Sequence, residues 1–156
     1  MAEYLETTVD KFTFKVPLDR LYTSGHTWLK EAERSRHGEG GLVRVGVTDY
    51  LQQTSGDVAF ADVTAPGTHM AIGTTLAALE TIKVNLELPS PLAGLIKEAN
   101  AALQETPELV NQDPYGHGWL AVLAPDDWPA QRAGLLEPQT YFEQMKAEAV
   151  EESKKL

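Results

Sequence analysis

Short stretches of alternating apolar and polar residues recur from the start of the chain to about residue 125, separated by Gly, Pro, Asn or Asp. That is the pattern of an all-β sandwich or barrel. Phe12, Phe14 and Val16 alternate with Lys11, Thr13 and Lys15, and Val43, Val45 and Val47 alternate with Arg44, Gly46 and Thr48. Each run predicts a half-buried strand. Val58, Phe60 and residues 61–63 predict another, and residues 119–123 a late one reached through the turn-forming run Asp113-Pro114-Tyr115-Gly116-His117-Gly118. Helical patterns are fewer. Thr48 or Asp49 is placed to cap a short helix that Gly56 ends, and Thr106-Pro107 predicts the cap and first position of a helical turn stopping before Pro114. Pro138 opens a longer helix in which Tyr141, Met145 and Ala149 share one face. That helix is expected to pack on the sheet, with residues 151–156 fraying.

One segment has a stricter pattern. From Leu79 to Leu88, Ile82, Val84, Leu86 and Leu88 fall on one side and Thr81, Lys83, Asn85 and Glu87 on the other. Lys83 therefore points away from the apolar side or sits at a hairpin tip, since alternation does not reveal where a chain reverses. Just beyond, Pro89-Ser90-Pro91-Leu92-Ala93-Gly94 combines two fixed φ angles with a glycine able to take positive φ, which predicts a sharp reversal.

Charge singles out the same lysine. The 156 residues contain 13 Lys and Arg against 23 Asp and Glu, a net charge of -10. Nucleic-acid phosphates and anionic lipids are thereby disfavoured as partners, and basic protein surfaces are favoured. Lys83 is the sole Lys or Arg from position 45 to 96. Alone, that isolation is also what a solvated strand lysine guarding a sheet edge would show.

The length is that of one domain. The absence of cysteine excludes disulfides, thiolate nucleophiles and thiolate metal sites, so redox chemistry must come from an added group. The start has neither a signal-peptide nor a transit-peptide pattern and no apolar run is long enough to span a membrane, so a cytoplasmic location is expected. No Gly-x-Ser-x-Gly elbow marks a hydrolase, and His26, His37, His69 and His117 lack metal-binding spacing. His26 is expected to pack near Trp28, and His117 to occupy the glycine-rich turn. Gly38-Glu39-Gly40-Gly41 is expected to be a hairpin loop, because the Lys and Ser/Thr of a phosphate loop are missing. Trp28, Trp119 and Trp128 are assigned to the core or its edges rather than to a partner-binding face.

From about Leu21 to Leu136 the sequence resembles the glycine-cleavage H-protein family, lipoyl-carrying relatives of biotinyl/lipoyl domains. The matching runs are His26-Thr27-Trp28, residues 45–50, Gly56-Asp57-Val58, Glu80-Thr81-Ile82-Lys83, Ser90-Pro91-Leu92-Ala93-Gly94 and residues 111–119. The resemblance implies a mostly β barrel-sandwich hybrid with short helices and a C-terminal helix. It divides the chain into an N-terminal extension with a strand (1–20), a carrier domain (21–136) and a packed helix (137–156).

It further implies that Lys83 projects from a hairpin and is amidated by lipoate, with Glu80 a candidate recognition residue for the lipoate ligase or lipoyl-assembly enzymes. Such a protein is a substrate of enzymes and not itself an enzyme. Biotin is the weaker cofactor, because biotin-bearing lysines lie between methionines and Lys83 lies between Ile82 and Val84. The usual Glu-Ser-Val-Lys-Ala of the family becomes Glu80-Thr81-Ile82-Lys83-Val84, the loop from Glu31 to Gly41 is longer, and an N-terminal stretch is added. These departures look more like the lipoate-binding proteins of sulfur oxidation. They imply work with a cytoplasmic heterodisulfide-reductase-like complex and sulfur-transfer proteins. The alternative is the H protein of glycine cleavage, carrying the aminomethyl intermediate among glycine decarboxylase, aminomethyltransferase and dihydrolipoyl dehydrogenase.

Overall fold

The computed structural model describes residues 3–31 and 41–155. The expected loop at Gly38–Gly41 and His37 fall largely or wholly outside the described residues. The chain is mostly β with a C-terminal helix, and the strand pairs of the described residues are antiparallel.

It opens on a hairpin of β1 (Tyr4–Val9) and β2 (Phe12–Pro17), whose two-residue turn holds Asp10 at a φ of 59°. β2 buries Phe14 and Val16 as the alternation predicts, while Phe12 at the tip stays 42% exposed. β1 is an additional strand. Its Leu5 and Val9 only half-bury beside intervening polar residues, so its pattern is weak.

A six-stranded sheet follows the order β3 (Leu21–Tyr22), β4 (Thr27–Glu31), β5 (Val43–Val47), β11 (Ala121–Pro125), β10 (Gly94–Ala99), β7 (His69–Met70). A three-stranded sheet follows the order β6 (Val58–Val63), β8 (Thr75–Thr81), β9 (Asn85–Pro89). Among the described residues neither sheet closes into a barrel, and the inner faces of the two meet in a core. Val47 and Leu120 pack there with Val58, Ala61, Leu79 and Leu88, and Val43, Val45, Leu92, Ile96 and Leu123 lie under the larger sheet.

Several local expectations change. In β6 the register shifts between Val58 and Phe60, so the alternation changes phase at Ala59. Val58 and Ala61 face the core, and Phe60 turns outward. The sharp reversal expected from Pro89 to Gly94 falls at a passage from one sheet to the other, since β9 pairs with β8 and β10 with β11 and β7. Gly94 does not take positive φ. It is required because a side chain there would strike the backbone of Ala124 and Pro125. The late strand starts at Ala121, two residues later than predicted.

The helices are α1 (Asp49–Ser55), α2 (Ala102–Glu105), α3 (Leu109–Gln112), α4 (Trp128–Arg132) and α5 (Pro138–Lys154). Thr48 caps α1 by accepting from Leu51 N–H, and Gly56 ends it at a φ of 90°. Thr106 is the C-cap of α2, not the N-cap of the next helix, which is Glu108. α5 continues to Lys154, where fraying was expected from residue 151. Ion pairs one turn apart, Glu151 with Lys154 and Glu152 with Lys155, accompany that end. Tyr141, Phe142, Met145 and Ala149 bury its inner face against β1, β2 and β3, and Tyr141 stacks on Tyr22 with ring centres 4.6 Å apart.

Candidate functional site

Lys83 occupies the tip of the β8–β9 hairpin. The last paired rung is Glu80 with Asn85, and residues 82–84 make the turn. The reversal therefore falls inside the strictly alternating run. Ile82 and Val84 lose the buried side that alternation assigned them and are 76% and 44% exposed.

Thr81 builds the turn. Its hydroxyl accepts from the N–H of Val84 at 2.9 Å and of Lys83 at 3.2 Å. The same hydroxyl lies 2.7 Å from the Ser55 carbonyl, to which it donates. The Ile82 N–H donates to the Asp57 carbonyl at 3.2 Å. The hairpin thus leans on the C-terminal end of α1, where Gly56 holds a φ of 90° that favours glycine. The Ile82 and Lys83 side chains pass over this glycine at ordinary contact distance, 3.4 Å from where a Cβ would lie.

Asn111 locks this junction from below. It accepts from Val58 N–H at 2.8 Å and donates to the Gly56 carbonyl at 3.0 Å and to the Gln52 side chain at 3.1 Å. Thr81, Gly56 and Asn111 were all visible in the matching runs, but no local pattern reveals contacts between residues this far apart.

The Lys83 ammonium is exposed and donates to the Thr54 carbonyl at 3.3 Å. A groove of about 230 Å³ lies beside its stem, walled by Phe12, Phe14, Tyr50 and Ala149, with Asp10 and Glu152 also lining it. These features suit an acylated lysine. Amidation removes one exposed charge, leaves the turn's backbone bonds untouched, and has apolar surface beside it. Glu80 is exposed on the rung below the tip, between Phe60 and Asn85. Replacing Thr81 by Val should remove the turn's clamp at a cost of about 1–3 kcal/mol. Denaturant unfolding would measure the loss, and faster amide exchange at Lys83 and Val84 would localise it; unchanged exchange there would refute the clamp.

The histidines take other roles. His26 lies tilted against Tyr50 with ring centres 4.8 Å apart and bonds to the Tyr141 hydroxyl at 2.8 Å and the Glu148 carboxylate at 2.7 Å, so it fastens α5. Its left-handed φ of 70° precedes β4, and Trp28 follows within that strand. His117 sits in the glycine-rich turn, bonded to Asp113. The His117 backbone N–H, foremost, holds the Asp113 carboxyl below its usual range. His69 pairs with Asp126. Burial pushes the hydroxyls of Tyr22 and Tyr141 well up, so both remain protonated donors, Tyr22 to the Pro17 carbonyl and Tyr141 to Thr48. Of the tryptophans, Trp28 is buried, while Trp119 stacks under Arg44 and Trp128 bonds to Glu31 at the sheet's edge. Among the described residues no cluster of His, Asp and Glu could hold a metal.

The family model described as Glycine cleavage H-protein matches residues 20–148. The chain belongs to this family. It is 40% identical over 134 residues to a Glycine cleavage system H protein of Thermus thermophilus, covering 86% of this chain and 98% of that one. It is 41% identical over 125 residues to the namesake from Bacteroides thetaiotaomicron, covering 80% of this chain and 93% of that one. A crystal structure of the glycine cleavage system H protein from Mycobacterium marinum superposes with a TM-score of 0.71 at 32% identity, covering 83% of this chain and 98% of that one. H proteins carry lipoate covalently on a lysine and are non-catalytic, so this member is a lipoyl carrier and not an enzyme. These relatives favour the glycine-cleavage alternative over the sulfur-oxidation reading. Among the described residues no helix is long and apolar enough to cross a membrane.

Proposed function

We propose that Lys83 bears the lipoyl group and that this H-protein family member serves glycine cleavage in the cytoplasm, working with glycine decarboxylase, aminomethyltransferase and dihydrolipoyl dehydrogenase. The observation that carries the site is an exposed lysine amine at a hairpin tip, bonded to the Thr54 carbonyl and beside an apolar groove. A lipoyl group attached there supplies a disulfide ring that opens by thiol exchange and recloses on oxidation, chemistry that a chain without cysteine lacks. The protein's own part is presentation: the Thr81 turn fixes where the amine emerges, and the junction at Gly56 supports it. Glu80, one rung back on an exposed face, is placed to be read by the lipoylating enzyme.

The lipoylated protein should support saturable, glycine-dependent release of carbon dioxide by glycine decarboxylase. Lipoylated protein that gives no turnover would overturn the glycine assignment. A second reading, carriage of sulfur intermediates for a heterodisulfide-reductase-like complex, is favoured by the exposed branched residues Ile82 and Val84 flanking Lys83 and by the added β1–β2 hairpin. Failure of the glycine assay together with stable copurification with that complex would establish it instead.

A further inference from the structure

The three-stranded sheet turns one face to solvent directly below the Lys83 hairpin. Its register places Phe60, Glu80 and Asn85 side by side on one rung, and Asp62, Ala78 and Glu87 on the next. Residues opposite one another in an antiparallel pair project to the same side. On the intervening rung Ala61 and Leu79 are buried and Leu86 is half-buried, so the flanking rungs form the outer face. Phe60 reaches it through the bulge in β6 and is 55% exposed. At the hairpin tip Ile82 and Val84 are exposed as well. The two rungs also carry Asp62, Glu80 and Glu87, and no position on them is a cation.

We propose that this face docks glycine decarboxylase, the enzyme that loads the lipoyl arm, through a basic protein surface with an apolar recess for Phe60. The proposal rests on the lipoyl-carrier reading of Lys83 and adds where the partner grips. Charge selects the partner's sign, because a face that carries three carboxylates and no cation on the two rungs, with Phe60 exposed beside Glu80, complements a basic surface with an apolar recess. Continuity with the tip selects its task. Glu80, beside Phe60, is three residues from Lys83, about 10 Å of extended chain, so a partner held here keeps the lysine within reach. Charge also distinguishes states of the carrier. Acylating Lys83 removes the sole Lys or Arg from position 45 to 96, so the modified protein presents a more uniformly negative surface.

The test uses fully lipoylated protein, verified by intact mass, and glycine decarboxylase as the probe. Phe60→Ala is expected to raise KM for the carrier about tenfold with kcat unchanged. Asp62→Asn combined with Glu87→Gln is expected to raise KM at low salt and flatten its salt dependence. A KM in Phe60→Ala within about twofold of the parent, or an unaltered salt dependence in the double variant, overturns the docking surface. No turnover with the lipoylated parent is a separate outcome: it overturns the glycine assignment, and this proposal with it.

Discussion

Lys83→Arg is expected to yield a folded protein that takes up no lipoyl group and carries nothing. Amide formation needs an amine that can shed a proton and attack the activated carboxyl, and a guanidinium does not deprotonate in proteins. The substitution keeps everything else the site uses. An arginine stem can lie over Gly56 as the lysine stem does, and its fork can still donate to the Thr54 carbonyl. The bonds that shape the turn come from the Thr81 hydroxyl and the backbone, so they do not depend on the side chain at this position. Stability should therefore stay within about 0.5 kcal/mol of the parent, the usual range for an exposed substitution away from special features. The measurement is intact mass after coexpression with a lipoate ligase, alongside denaturant unfolding. The parent should gain one lipoyl increment and become one charge more negative, while the variant gains neither. A lipoyl increment retained in Lys83→Arg would place the attachment on another lysine and sink the site.

Legibility in the sequence followed the range of the interactions. β2, β5, α1 and α5 could be read because their signals are local: alternation in Phe12-Thr13-Phe14-Lys15-Val16, the Thr48 cap and Gly56 stop, and a four-residue apolar repeat after Pro138. Local pattern fails where contacts between distant segments decide. Alternation through Leu79–Leu88 runs unbroken across a reversal, because a turn held by Thr81 needs no Gly or Pro to mark it. The phase change at Ala59 follows from pairing with β8, which a strand's own residues do not display. Gly94 was singled out for backbone freedom and is needed for close strand approach instead. At the site, composition isolated Lys83 and the family resemblance supplied a reason for it. The supports were beyond local reading, since Asn111 lies more than fifty residues from the Gly56 carbonyl and Val58 N–H it binds.

Trp28→Ala should be among the most costly single changes in the molecule, at about 3–5 kcal/mol. The indole is essentially fully buried in β4 and covers Gly46, its register partner on β5, where an added Cβ would come within 2.5 Å of the ring. A side chain at that glycine and this indole cannot coexist, so the pair acts as one large residue spanning two strands. Alanine at position 28 leaves the glycine uncovered with nothing to refill the space. Three further interactions are lost: the indole N–H bond to the Pro114 carbonyl at 2.9 Å, the Arg20 guanidinium stacked 4.7 Å above the ring, and the ring's contact with Tyr115. The Pro114 carbonyl is left short of a donor, which adds to the penalty of the cavity. Against a typical total stability of about 5–15 kcal/mol, such a loss should lower the melting temperature by about 10 °C or more. The damage should centre on the cluster beneath α5, where Trp28 packs with Phe14, Tyr22, Tyr50 and Tyr141. The strands of the Lys83 hairpin stand on a different cluster, with Leu79 and Leu88, and meet the Trp28 cluster at the groove wall of Phe14, Tyr50 and Ala149, so variant protein kept well below its transition should still accept the lipoyl group. Thermal unfolding and a lipoylation assay at low temperature check the two halves together. A cost under about 1 kcal/mol would show that the indole is not the keystone of β4 and β5. Failed lipoylation of the folded variant would show that the two clusters are coupled through α1, which places Tyr50 in one and Leu51 against the other.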